Sequence, residues 1–366
     1  MQVETLPLHL TPLVRQWKCR QRGMCCKVHS VPVTETERRR IVRHLTADHD
    51  ARAELMAEGA LEEIDGWQQL PRADGACVFL EQNLCSLHKR FGATTTPGAC
   101  RKFPYLVLLT DDRLVASLSF QCPTALELLA HAPSFETVVE DEGEPPTDSV
   151  SFLAEPDADY FDLQGHKVSA ADFWRQHWQL LDRLVARPEA DPVERLIAFA
   201  AAETGQAAPG PVALPPEVWS KPWWNMAVGR ELERATGERA HDLGWWWVLM
   251  PPQDYTFDRP ADLDEDAFVM RYLLHRMFAP VWYLHHRDLR FGLAMLFALL
   301  VRIRMECARG HDVTVAVRHT DRFFVHVPNP EQLFGTRADP IDPDLPWGHS
   351  WRVLAALVSA TRADPG

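Results

Sequence analysis

Apolar residues recur at three- and four-residue steps through much of the second half of the chain. Phe173, Trp174, His177, Leu180, Leu181, Leu184 and Val185 share one face of a predicted helix, and residues 264–279 and 288–308 repeat the pattern. The stretch DVTVAVRHTDRFFVHV has the composition of a strand. Its Val313, Ala316, Val317, Thr320, Phe323, Phe324 and Val327 nevertheless fall on one helical face, which predicts a helix ending before Pro328. The first third mixes shorter elements. TETERRRIVRHL opens with Thr34 three residues before Glu37, a capping-box spacing that predicts a helix. YLVLLT and LVASLSF flank Asp111 and Asp112 and predict a hairpin, after which PTALELLAHA predicts a helix with Pro123 in its first turn. The predicted class is α+β, predominantly α-helical: a small domain with a short hairpin, then a helical domain. No fixed period recurs, which argues against a solenoid.

Charge patterning marks a division between the two parts. From Glu136 to Asp159 there are nine acids and no Lys or Arg, with Pro145, Pro146 and Pro156 interspersed, so an exposed linker or long loop is expected. The predicted organisation is residues 1–135, an acidic connection over 136–166, and a helical domain over 167–366. A chain of 366 residues is long enough for two buried cores. With 51 acids against 38 bases the net charge is -13, which argues against a protein that coats nucleic acid along its length. A basic run, nine Lys or Arg against three Glu through residue 44, reads as a solvated face or a contact for an acidic partner. The longest apolar run, GLAMLFALLV, is far shorter than the roughly 20 residues of a membrane span. MQVETLPLHLTPLVRQW lacks the pattern of a secretory signal, and the expected location is the cytoplasm.

Cysteine usage changes the picture most. Seven of the eight cysteines, Cys19, Cys25, Cys26, Cys77, Cys85, Cys100 and Cys122, lie in the first third, and three of them fall within CRQRGMCC. In a reducing compartment such clusters are more often metal ligands or catalytic thiols than disulfides. Thiolate sulfur is polarisable and charged, which suits zinc or iron. The later spacings leave 7, 14 and 21 intervening residues, unlike the close pairs of a zinc ribbon. Two readings therefore stand. Seven thiols with His29 or His88 can complete two four-coordinate zinc sites, or four thiolates can hold an iron–sulfur cluster, for which Cys122 before Pro123 is a weak cue. Cys307 lies on an apolar helix and is expected in the core.

The order of CRQRGMCC, GACVFLEQNLCSLHKRFG, PGACRKFPY and SLSFQCPTALELL resembles the CxxCxxCC cysteine-cluster family of zinc- or iron-chelating proteins, in its flagellin lysine-N-methylase branch. The match spans residues 19 to 129. The resemblance implies a metal centre, S-adenosylmethionine as methyl donor and a flagellin-like or other surface protein as substrate. This sequence departs from the family in three places. Arg22 stands where the second cysteine is usual, Val78 stands where proline is usual, and KVHSVPV follows the vicinal thiols. Another thiol, Cys122 for example, must then replace the missing one.

Independent signs of methyl transfer are few. No G-x-G pair marks a nucleotide-binding turn, and no P-loop, HExxH or GxSxG occurs. PWWNM at 222–226 and GWWWVLMPP at 244–252 offer aromatic faces for a sulfonium or ammonium group, although a buried seam is the commoner use of tryptophan. His285 and His286 read as surface or capping residues. The rival to an enzyme is a metal-binding protein that stores, senses or delivers iron or zinc, or whose metal is structural.

Overall fold

The computed structural model describes residues 6–64, 67–140, 152–153, 158–188, 190–210, 259–280, 287–325 and 351–360. The tryptophan stretches at 222–226 and 244–252, together with His285 and His286, lie outside the described residues.

In chain order the first part contains β1 (Leu8–Leu10), α1 (Pro12–Gln16), α2 (Met24–Val28), α3 (Glu35–Ala47) and α4 (Arg52–Leu55). The predicted capping box is present at α3. The Thr34 hydroxyl accepts from the Glu37 amide at 3.3 Å, and the Glu37 carboxylate accepts from the Thr34 amide at 2.9 Å. Six two-residue strands follow as three antiparallel hairpins: β2 (Glu63–Ile64) with β3 (Trp67–Gln68), β4 (Arg72–Ala73) with β5 (Ala76–Cys77), and β6 (Leu80–Glu81) with β7 (Leu84–Cys85). Asp74 and Gly75, then Gln82 and Asn83, all have positive φ, the conformation that two-residue hairpin turns require at both positions. Then come α5 (Ser86–Phe91) and α6 (Gly98–Lys102).

The predicted hairpin forms as β8 (Tyr105–Leu109) and β9 (Leu114–Leu118), followed by α7 (Pro123–His131). A pairing that sequence pattern did not indicate places β1 parallel to β9. Within the acidic stretch β10 (Val138–Glu140) pairs with β1, and β11 (Phe152–Leu153) pairs with β8, giving the sheet order β10-β1-β9-β8-β11. These short strands, expected as loop, are the two edges, where a charged and proline-rich sequence discourages further pairing.

The remaining elements are β12 (Tyr160–Phe161) paired with β13 (Lys167–Val168), then α8 (Ala170–Val185), α9 (Pro192–Thr204), α10 (Glu265–Phe278), α11 (Leu289–Ala308), α12 (Val313–Val325) and α13 (Trp351–Ala360). Helix α11 is buried along nearly its whole length, as expected for a helix apolar on all sides. Among the described residues no helix is long and apolar enough to cross a membrane.

Two cores result. The smaller joins Val33, Ile41, Leu45, Met56, Leu70, Phe79 and Leu87 with Cys77. The larger gathers the central sheet, α7 and the later helices, with Cys122 inside it and Cys307 packed at its margin. A buried polar clamp joins the sheet to the helices. The Asp321 carboxylate on α12 accepts from the Phe120 amide at 2.8 Å and the Ser119 hydroxyl at 3.2 Å, and lies 3.5 Å from the Arg276 guanidinium on α10. Arg276 also donates to the Leu118 carbonyl and lies over the Phe120 ring. Segment 118–122, which leads to Cys122, is thus held from the helical side.

Candidate metal centre

The segment CRQRGMCC turns abruptly at Gly23, whose φ of 67° is left-handed. A Cβ there would lie 3.0 Å from the Asn83 Cα, so only glycine lets α2 approach the β6–β7 turn this closely. Helix α2 carries Cys25 and Cys26. Arg72 on β4 donates to the carbonyls of His29 and Lys27, each at 2.6 Å, and ties the end of α2 to the hairpins.

Cys77 and Cys85 occupy equivalent places in consecutive hairpins. Each ends its second strand, opposite Arg72 and Leu80 respectively. The hairpins are defined by their turns and by an arginine. From the start of α4, Arg52 donates to Glu81 at 2.7 Å, the Ser86 hydroxyl at 3.0 Å and the Val78 carbonyl at 3.3 Å. The Val78 amide donates to the Pro71 carbonyl at 3.1 Å, a bond that proline at this position cannot make. Cys100 sits on the short α6, whose Gly98 amide donates to Glu37 at 2.6 Å. The carboxylate that caps α3 therefore also positions α6.

Cys122 immediately precedes α7 and is buried, with the Trp17 indole donating to its sulfur at 3.4 Å. Arg22, in the place of the missing cysteine, pairs with the buried Glu127 of α7, and Arg20 reaches the same carboxylate at 2.7 Å. Cation and carboxylate thus join the first thiol segment to the helix after Cys122. Cys19 is exposed, its sulfur accepting from the Gln21 amide at 3.4 Å.

Electrostatics link most of these thiols. The sulfurs of Cys25 and Cys26 are 4.0 Å apart. Their hydrogen bond lowers Cys25 to about 7, while the same bond, together with burial, raises Cys26. The pair thus loses its first proton readily and its second reluctantly. Burial raises Cys77, Cys85 and Cys122, and raises Cys100 well above its ordinary range. Cys100 keeps exposed surface as a residue, but the protein around its sulfur desolvates the thiolate. Negative charge on Cys25 raises Cys77, Cys85, Cys100 and Cys122, which puts these six thiols, Cys26 included, within electrostatic reach of one another. A cation held by these thiols would offset both penalties, because its charge would balance the thiolates.

Residues 18–123 match the CxxCxxCC family, described as "Putative zinc- or iron-chelating domain". This agrees with the thiol-rich geometry and supports metal binding by the segment. No curated protein and no solved structure matches the chain.

The thiols are not packed around one point. Among the described residues no three cysteine sulfurs all lie within 4.8 Å of one another. Tetrahedral zinc with Zn–S bonds of about 2.3 Å holds its sulfurs only about 3.8 Å apart. Cys25 and Cys26 approach that spacing, but two adjacent residues are half of a zinc set. A polynuclear cluster spreads its thiolates over several metal atoms and accepts wider separations.

Cys307 is half-buried, and burial raises its thiol to about 11. Three residues that sequence reading did not single out, Glu306, His311 and His319, do converge; a Glu-x4-His-x7-His spacing at the junction of two helices is their only trace in the sequence.

Proposed function

We propose that residues 18–123 hold iron as an iron–sulfur cluster, with ligands drawn from Cys25, Cys26, Cys77, Cys85, Cys100 and Cys122. The observation that carries this reading is a set of electrostatically linked thiols, supplied by separate elements, of which no three sulfurs lie within 4.8 Å of one another. Cys19, on the exposed lead into α2, is the least constrained of the seven candidates. A bound cluster supplies electron-accepting and Lewis-acid chemistry. The protein supplies a desolvated thiol pocket and the arginine contacts that hold the hairpins. Anaerobic purification followed by iron, zinc and acid-labile sulfide analysis tests the proposal. Iron and sulfide in equal amounts support it, whereas stoichiometric zinc without sulfide after iron-replete expression overturns it in favour of paired zinc sites.

Methyl transfer from S-adenosylmethionine to a protein lysine is the activity that the resemblance of residues 19–129 implies. Labelled donor, metal-loaded protein and surface or filament proteins of the host form the direct assay. Absence of donor binding by calorimetry removes the enzyme reading and leaves a metal-binding protein.

A further inference from the structure

Helices α11 and α12 are joined by a tight turn in which Gly310 has a φ of 88°. The His311 amide donates to the Glu306 carbonyl at 3.2 Å across this turn, a helix-ending arrangement that a left-handed glycine permits. His311 is thereby fixed beside the last turn of α11. The second turn of α12 brings His319 to the same place. One carboxylate oxygen, Glu306 Oε2, lies 3.3 Å from His319 Nδ1 and 3.6 Å from His311 Nε2, and the three side chains each place a ligand atom within 4.8 Å of the others. Ligand atoms around tetrahedral zinc, at bonds of about 2.0–2.1 Å to nitrogen or oxygen, lie about 3.3 Å apart.

The two oxygens of Glu306 have separate surroundings. Oε1 lies 2.7 Å from Arg302 and 3.6 Å from Arg309, whereas Oε2 faces the two imidazoles. The arginines so placed orient the carboxylate from behind, as outer partners of metal ligands do. They also add positive charge near the site, which a purely structural ion-pair knot would equally explain. His319 tells against that alternative. It is buried at 4% exposure, and its Nε2 has no hydrogen-bond partner among the described residues. Its Nδ1 already meets Glu306 Oε2, so that Nε2 lies on the opposite edge of the ring; what an ion-pair knot leaves unexplained is that a second imidazole, His311, meets the same carboxylate oxygen. His311 has a quarter of its side chain exposed, which gives an ion a way in.

We propose that Glu306, His311 and His319 form a second metal site, separate from the cysteines, for a borderline divalent ion such as zinc or ferrous iron. Two imidazoles and one carboxylate leave a coordination position open for water or substrate, the pattern of catalytic rather than structural sites. The proposal does not depend on which metal the cysteines hold.

The full-length protein, with its cysteine centre loaded, is titrated with zinc and separately with cobalt(II). Wild type is expected to take up one further equivalent, and the cobalt form to show visible ligand-field bands without sulfur-to-cobalt charge transfer. His311→Ala changes a partly exposed turn residue and should fold; it is expected to lose that equivalent while the metal content of the cysteine centre stays unchanged. His319→Gln, with the buried shape largely kept, should lose it too. Equal uptake by wild type and His311→Ala, or charge-transfer bands on the added equivalent, would overturn the site.

Discussion

Replacing Asp321 with Asn removes one charge from a pair in which both side chains are fully buried. The amide oxygen can still accept from the Phe120 amide, but its NH2 then faces the Arg276 guanidinium and two donors oppose each other. Arg276 cannot shed its proton, so an uncompensated charge remains in the core. Breaking a buried pair in this way costs about 3–5 kcal/mol. With a urea dependence of about 3 kcal/mol/M for a large chain, the unfolding midpoint should fall by about 1–1.7 M. Arg276→Met should cost less, because burial already raises the Asp321 carboxyl and the residue can take up a proton when its partner is gone. The double variant should be more stable than Asp321→Asn alone, since no unpaired cation is left. Equilibrium urea melts on all four proteins form the cycle, and metal content is read in parallel because Asp321 holds the segment that ends in Cys122. A double variant whose loss equals the sum of the two single losses would refute the reasoning, as would an Asp321→Asn protein within 1 kcal/mol of wild type.

Further expectations concern the thiols, the turn at Gly23 and acid lability. Cys100→Ala should lose metal and thermal stability together, whereas Cys307→Ala, trimming a half-buried group at the core margin, should keep full metal content and cost about 1 kcal/mol; the opposite ranking would reverse the assignment of the centre to the first third. Gly23→Ala forces a left-handed alanine against Asn83 and should cost about 1–2 kcal/mol or more, seen as lower metal retention on dialysis against a chelator. His177 and His275 are fully buried, and burial holds each near a pKa of about 3. An unfolded histidine titrates near about 6.5, so protons bind the unfolded chain preferentially between these values and stability falls as pH drops below about 6.5. At pH 5 the loss should be about 2 kcal/mol for each. Thermal melting that is flat from pH 7.5 to 5 contradicts this.

Local signals were the readable ones. The capping box of α3, Pro123 at the start of α7 and the periodic faces of α8, α10, α11 and α12 are written over neighbouring residues, and those elements form where the pattern places them. The hairpins that carry Cys77 and Cys85 have two-residue strands, too short to show alternation. Their signal lay in the turns, where Asp74-Gly75 and Gln82-Asn83 supply positive φ. The parallel pairing of β1 with β9 joins residues about a hundred positions apart, and nothing local encodes it. The convergence of Glu306, His311 and His319 likewise depends on the angle at which two helices leave a turn, which spacing alone does not reveal.

The clamp from Asp321 to Phe120 spans 201 residues, and this fixes an order of events during synthesis. The smaller core and its hairpins need nothing beyond α6, so Cys25, Cys77, Cys85 and Cys100 can be brought together soon after that helix leaves the ribosome. The clamp on the segment ending in Cys122 must wait for α12. At about 5–20 residues per second the interval is about 10–40 s. For that time the smaller core can exist without the clamp on the segment that ends in Cys122. A chain that ends before Asp321 therefore has the smaller core complete while the 118–122 segment still lacks its clamp from the helical side.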